Sequence, residues 1–412
     1  MEYPARLVRL AQARARHGTA RVDALARRML EGDVPADLAI EALEPLPRTE
    51  QDALVGRVLR EGVDAVPDAP EALRALVDSV SRVPFWVDEA RLVRASEAFL
   101  CSGLLGGLVL GASSLVGGYC SPAGNKPLVF SGRLEANAGR RLAETSKFVQ
   151  AVSMPGGMGR HAEGFATTVR VRLMHASVRR KLRGSDLWRE QQWGVPINQA
   201  DMAATVLLFS MVLHDGLAKL GWEPTESERE DLLHLWRYVG FVMGVCDDLR
   251  CATLVEARAL WDLVTTTQEP PDEDSRALAK ALMDSTTRGA HTEAERRSAE
   301  RARDVAYALS RHLVGDALAD ALGYPKTSTL LAVKVFQQVN RRVRWLWRAV
   351  PGAPFGSTEA GARYWDRVVR RSLGTMPATF ALADVLLNGS SRPAPGWPSG
   401  SSRTVAPPYR AS

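Results

Sequence analysis

The chain has 412 residues, 46% of them hydrophobic and 24% charged, and a formal net charge of +6. That length suffices for one large domain or two smaller ones, and the balance is that of an ordinary soluble globular protein. No basic run is interleaved with aromatics, which argues against nucleic-acid binding. An anionic cofactor or loose contact with a membrane surface stays compatible with the charge.

The four cysteines, Cys101, Cys120, Cys246 and Cys251, form no CxxC pair, so neither a disulfide framework nor a zinc site is expected. The first residues, MEYPARLVRLAQARARHG, hold no apolar core of a secretion signal, and a cytoplasmic location is the expectation.

In chain order, residues 5–80 read as short amphipathic helices punctuated by prolines. Arg21 to Leu30 and Glu50 to Glu61 are two of them, and Asp68 with Pro70 opens a third. VPFWVD, Val83 to Asp88, is a turn before a helix from Glu89 to Phe99. Ala98 to Asn125 has no charge, and Leu100 to Tyr119 is rich in small residues. Its length approaches a membrane span, but Gly and Ser dilute its hydropathy and no second span is expected to accompany it. A buried central helix, without stable membrane insertion, is the reading adopted. SPAGNKP, Ser121 to Pro127, reads as loop and Leu134 to Val152 as helix. The glycine turn Met154 to His161 lacks the ending of a phosphate loop.

The helix Phe165 to Leu182 places Thr168, Val171, His175, Val178 and Leu182 on one face. Arginines crowd its flanks, among them Arg172 and Arg179. An imidazole in an apolar seam beside guanidinium groups suits an axial haem ligand with propionate partners. It suits a core histidine with one hydrogen bond as well.

WGVPINQAD leads into a helix from about Met202 to Leu220, with Asn198 as the better cap. Thr225 and Glu228 form a capping box before LLHLWRYVGFVMGV. Glu269 to Asp304 is polar on most faces and reads as exposed helix or connector. No strand of useful length is evident, so the fold class is all-α with many helices.

The expected organisation is a helical prelude over 1–82 and a core over 83–266. A polar connector over 267–304, C-terminal helices over 305–387 and a disordered Gly/Pro/Ser-rich tail over 388–412 follow.

Before the His175 helix, Arg141, Glu144, Thr145 and Phe148 share a helical face. A cation, a carboxylate and a hydroxyl on one patch suit either a buried polar network or the distal side of a haem pocket. No HExxH, GxSxG or cysteine–base arrangement competes with this site.

The ordered set RRLAET, RVRLMHASVR, WGVPINQADMAATVLLF and LWRYVGFVMGV resembles the rubber oxygenase (latex clearing protein) family, which includes the endoplasmic-reticulum-bound oxygenase of mycophenolic acid biosynthesis. The resemblance spans roughly Pro84 to Leu249. It implies a globin-like helical core enclosing haem b, with O2 used to cleave carbon–carbon double bonds of isoprenoid chains. It makes His175 the proximal and metal ligand and puts Arg141 and Thr145 on the distal side, with Thr205 supporting the histidine. Glu144 stands where rubber-cleaving members carry lysine, and Asn125 is the nearest match to an upstream acid. The expected function is therefore a haem b oxygenase acting on a small or isoprenoid/aromatic intracellular substrate, not polyisoprene, with Arg141, Glu144 and Thr145 catalytic and Arg172 and Arg179 at the cofactor. The alternatives are a haem sensor or carrier without turnover, and a metal-free helical protein that binds an apolar ligand.

Overall fold

The computed structural model describes residues 3–130, 138–285, 292–349 and 357–373, without the side chains of residues 138, 347 and 348. The proposed tail over 388–412, the end of the C-terminal helices beyond Leu373 and His291 lie outside the described residues. Among those described, every regular element is helical and none is a strand.

The chain opens with α1 (Leu10–His17), α2 (Thr19–Arg28), α3 (Val34–Leu43), α4 (Arg48–Glu61) and α5 (Glu71–Ser81). Asp33 caps α3 and Pro35 sits in its first turn, where a missing N–H costs nothing. These helices are not an accessory layer. Leu43, Val58, Leu73 and Leu76 belong to the same apolar core as Phe165, Leu173, Leu213 and Trp236 from the body of the protein. One shared core is how short helices of this kind become stable, since each alone is too short to hold its shape.

Asp88 then caps α6 (Glu89–Val109) by accepting from the Ala90 and Arg91 amides. The helix kinks at Gly103 (φ +43) and passes through a π-helical turn, Leu110–Ser114, into α7 (Leu115–Tyr119). The stretch Glu89–Tyr119 is long and apolar enough to cross a membrane, and 56% of its apolar 18-residue window is buried within the protein. Contrary to expectation a second stretch, Gln199–Lys219, meets the same measure, with 61% of its window buried. More than half of each window is thus covered by packing within the protein.

SPAGNKP is not a loop. It forms the start of α8 (Pro122–Phe130), with Ser121 Oγ accepting from the Gly124 amide. Proline in the first turn fits a helix start, and the second proline, Pro127, is tolerated inside a short buried helix whose Asn125 donates to the Tyr119 carbonyl at 2.6 Å.

Next come α9 (Ala138–Ser153), α10 (Glu163–Arg183) and the single turn α11 (Glu190–Trp193). The glycine turn between α9 and α10 brings backbones together: a Cβ on Gly164 would stand 2.5 Å from the Gly157 carbonyl and 2.6 Å from that of Ala151. Glycine is required there so that α10 can start against the end of α9.

The expected helix Met202 to Leu220 is two helices, α12 (Gln199–Phe209) and α13 (Met211–Lys219), broken at Ser210, whose dihedrals are −110° and −87°. Periodicity is blind to a one-residue break that leaves both apolar faces in register. Asn198 caps α12, and Thr225 and Glu228 form the reciprocal capping box of α14 (Glu226–Met243).

The rest is α15 (Leu254–Thr267), α16 (Glu273–Asp284), α17 (Glu293–Val314), α18 (Asp316–Ala321), α19 (Leu330–Ala349) and α20 (Thr358–Leu373). The polar segment expected as connector divides in two. α16 buries Leu278, Ala279, Leu282 and Met283 against Tyr119, Val129, Leu322 and Tyr324, a second core. The first half of α17 is exposed. Polar residues are as many as apolar ones in α16, but the apolar ones share a single face, and that face is what packing uses.

Candidate functional site

α10 packs against α3, α9 and α14, and His175 sits at its middle. The face expected from spacing is inward: Thr168 and Leu182 are fully buried, Val171 nearly so, and His175 and Val178 partly. Thr168 spends its hydroxyl on the Gly164 carbonyl at 2.7 Å. His175 Nδ1 is buried and has no hydrogen-bond partner. Burial lowers the imidazole pKa to about 4, helped by the Arg179 charge and opposed by Asp33. The ring is therefore neutral at pH 7, with nitrogen lone-pair capacity uncommitted, which is the state an iron-ligating imidazole needs. A buried polar atom left unsatisfied in a native chain calls for an unseen partner. On this test the residues present fit a haem.

Arg172 and Arg179 do not offer their charges to a cofactor, contrary to expectation. Arg172 Nε and Nη2 donate to the two oxygens of Asp33 at 2.6 and 2.8 Å, and Nη1 donates to the Val242 carbonyl at 3.1 Å. Arg179 Nη1 donates to Asp37 at 2.9 Å and Nη2 to the Ile197 carbonyl at 3.3 Å. Both guanidinium groups are buried and both are bound to carboxylates from α3 and its cap. A bidentate arginine–carboxylate pair in a buried setting uses the donors that a propionate would need. Only Arg179 Nε is left, buried without an acceptor.

Gly244, at φ +87, closes α14 against this pair. A Cβ there would come within 2.5 Å of Asp33 Oδ2 and 2.6 Å of Arg172 Nε. Gln199 ties the same region together, donating to the Gly32 and Gly244 carbonyls and accepting from the Cys246 amide.

Thr205 does not support His175. It is exposed, and its hydroxyl donates to the Asp201 carbonyl one turn back on α12 at 2.8 Å. That i−4 bond is the default for a threonine whose side chain finds no tertiary partner.

On α9, Arg141, Glu144 and Thr145 are all partly buried, and Phe148 is buried edge-on to Trp236. Burial lowers the Arg141 pKa, and the Tyr119 phenol beside it acts in the opposite sense. The same burial raises the Tyr119 phenol, holding it protonated. Glu144 pairs with Arg140, not Arg141, in an i,i+4 contact of 3.0 Å. The helix face predicted for α9 is thus formed, but its carboxylate turns to the flank.

Spacing missed Asp33, Asp37 and Tyr119. Asp33 was readable as a helix cap and nothing more, since its partner is 139 residues away. Two of the other histidines hold structural places: His234 Nε2 accepts from the Asp88 amide at 3.0 Å, and His312 bonds the Lys219 carbonyl. All four cysteines are free, with thiols raised by burial to about 11 or 12. No group of three or more metal-ligating side chains exists among the described residues, which a single-histidine haem site does not require.

Over residues 102–346 the chain matches the family described as ER-bound oxygenase mpaB/B'/Rubber oxygenase, catalytic domain. The chain belongs to this family. It is 26% identical to the rubber oxygenase of Streptomyces sp. (strain K30) over 263 residues, 63% of this chain and 62% of that protein's length. It thus spans under two thirds of the relative it matches. Its fold is that of latex clearing protein in the closed state, with a TM-score of 0.66 at 22% identity, covering 82% of this chain and 91% of the other. The match begins at residue 102, so Asp33 and Asp37, which hold α10, lie before the matched segment.

Proposed function

We propose that the chain is a haem b-dependent oxygenase that uses O2 to oxidise or cleave a carbon–carbon double bond of a small isoprenoid or aromatic substrate rather than polyisoprene. The observation that carries this reading is His175: a neutral imidazole on an inward helix face, inside the family's matched segment, with Nδ1 buried and unpartnered.

Bound haem would supply the iron that activates O2 toward an alkene. His175 would hold that group. Arg141 and Thr145 would contribute a cation and a hydroxyl, and the Tyr119 phenol beside Arg141, kept protonated by burial, would contribute a hydrogen-bond donor. The apolar residues of α9 and α10, Phe148, Val152, Phe165 and Val169 among them, pack into one dry core beside these side chains. Preference for a substrate other than polyisoprene rests on residue 144, where glutamate replaces the lysine of rubber-cleaving relatives and lies against Arg140.

The test starts with absorption. Protein expressed with ample haem should show a Soret band, and His175→Ala should lose it while keeping its helical circular dichroism. A colourless wild-type protein, or full haem occupancy in His175→Ala, would sink the assignment. O2 uptake with short isoprenoid and aromatic alkenes, but not with polyisoprene latex, is the expected substrate pattern. A Soret band without uptake on any alkene would make the protein a haem carrier.

A further inference from the structure

Among the described residues, α19 carries more exposed large hydrophobic side chains than any other helix. Leu331, Val335, Val339, Trp345 and Leu346 are each between 51% and 70% exposed. At helical spacing they fall in one stripe along its 20 residues, interrupted only by Gln338 and Arg342. Monomeric proteins rarely leave a contiguous apolar stripe of this length to water, and one rimmed by charge marks an interaction surface.

The stripe is presented by a firmly seated helix. Val333 is buried in the main core. Arg344 Nη2 donates to both oxygens of Glu228 at 2.7 Å, and its guanidinium lies 4.5 Å from the centre of the Trp222 ring. Asn340 donates to the Leu220 carbonyl at 3.0 Å. Gly221 (φ +86) lets the α13 end approach so closely that a Cβ there would meet the Gln337 carbonyl at 2.2 Å. The inward face is therefore fixed, and the outward apolar face cannot turn in without breaking these contacts.

Charge selects the partner. α19 has no aspartate or glutamate, and Lys334, Arg341 and Arg342 are exposed along the stripe. A second copy docking symmetrically would set these cations against one another. Residues 374–412 carry three arginines against one aspartate, so that segment is no counter-charge either. A fixed helix with an apolar outer face, an aromatic near one end, Lys334 and Arg341 at its margin and Arg342 within the stripe, where its long side chain can snorkel, has the chemistry to lie in the headgroup region of an anionic bilayer.

We infer that α19 is a peripheral docking face for anionic lipid membranes, seating its apolar stripe at the acyl boundary while Lys334, Arg341 and Arg342 meet lipid phosphates. No element crosses the bilayer in this arrangement.

Vesicle flotation of the full chain tests it. Binding is expected to phosphatidylcholine vesicles containing phosphatidylglycerol, to fall steeply with salt, and to be at least tenfold weaker on phosphatidylcholine alone. The double variant Val335→Glu/Val339→Glu and the double variant Arg341→Glu/Arg342→Glu should each lose at least tenfold in partition, with thermal unfolding unchanged because these side chains are exposed. Failure of the wild type to float with any vesicle overturns the proposal, as does equal flotation of the variants. A concentration-dependent dimer, seen by light scattering and abolished by the Val335/Val339 variant, would instead assign the stripe to a second copy.

Discussion

The two helices that frame the candidate site are anchored in opposite ways. α10 carries His175 between Arg172 and Arg179, and both arginines are buried and locked by carboxylates reaching across from α3 and its cap, Asp33 buried and Asp37 partly so. α9 carries Arg141, Glu144 and Thr145, and the carboxylate there is held by Arg140 on the same helix, in a partly exposed contact. A buried bidentate pair is rigid and costly to disturb, whereas an i,i+4 surface pair contributes a few tenths of a kcal/mol. The α10 side, proposed to hold the cofactor, is therefore fixed by tertiary structure, and the α9 side is left free to vary in charge without unfolding the protein.

Removing one partner of the buried pair should break this contrast most severely. Asp33→Ala leaves the Arg172 guanidinium buried without a counter-ion and should cost about 3–5 kcal/mol in urea unfolding. A loss under 1 kcal/mol would mean that α10 is held by packing alone. Gly244→Ala acts on the same pair from α14. A left-handed alanine whose Cβ meets Asp33 Oδ2 at 2.5 Å should lower stability by about 1–3 kcal/mol, and a neutral result would show that the α14 terminus can move away from the pair.

Acid should expose the same dependence on burial. Burial lowers the pKa of His214 to about 3 and that of His234 to about 4, as it does for His175. The unfolded chain binds these protons near the ordinary histidine value of 6.5, before the folded one does. Stability is thus fully present above about pH 6.5 and is lost as pH falls from there toward pH 4. His214→Leu should flatten part of that decline in a pH series of urea midpoints. An unchanged slope would remove His214 from the account.

The smallest effect on stability is expected on α9. Glu144→Gln removes only the Arg140 contact and should change unfolding by less than about 0.5 kcal/mol. Its consequences should appear instead in the haem spectrum and in the substrate pattern. A loss above 2 kcal/mol would show that α9 is anchored as tightly as α10, and the contrast between the two sides would fall.

Much of this was open to reading along the chain. The capping box at Thr225 and Glu228, the Asn198 cap and the inward face of α10 all depend on residues within one or two turns of each other, where spacing and hydrogen-bonding chemistry decide the outcome. His175 was singled out for the same reason. Helix α8 was missed because two prolines and a glycine mimic a loop, and the break at Ser210 because it leaves the apolar faces continuous.

What the sequence alone determined is the all-helical class, most of the helices with their apolar faces and the histidine on one of them, since each follows from local periodicity. What tertiary structure decided is where the charges go. Arg172 and Arg179 were expected at the cofactor, and burial against α3 gave them to Asp33 and Asp37. Glu144 looked suited to a distal pocket, and the nearer cation on its own helix took it. An ionic partner 139 residues away leaves no periodic trace, yet in a buried setting an unpaired guanidinium is too costly to leave, so packing fixes the pairing that spacing cannot.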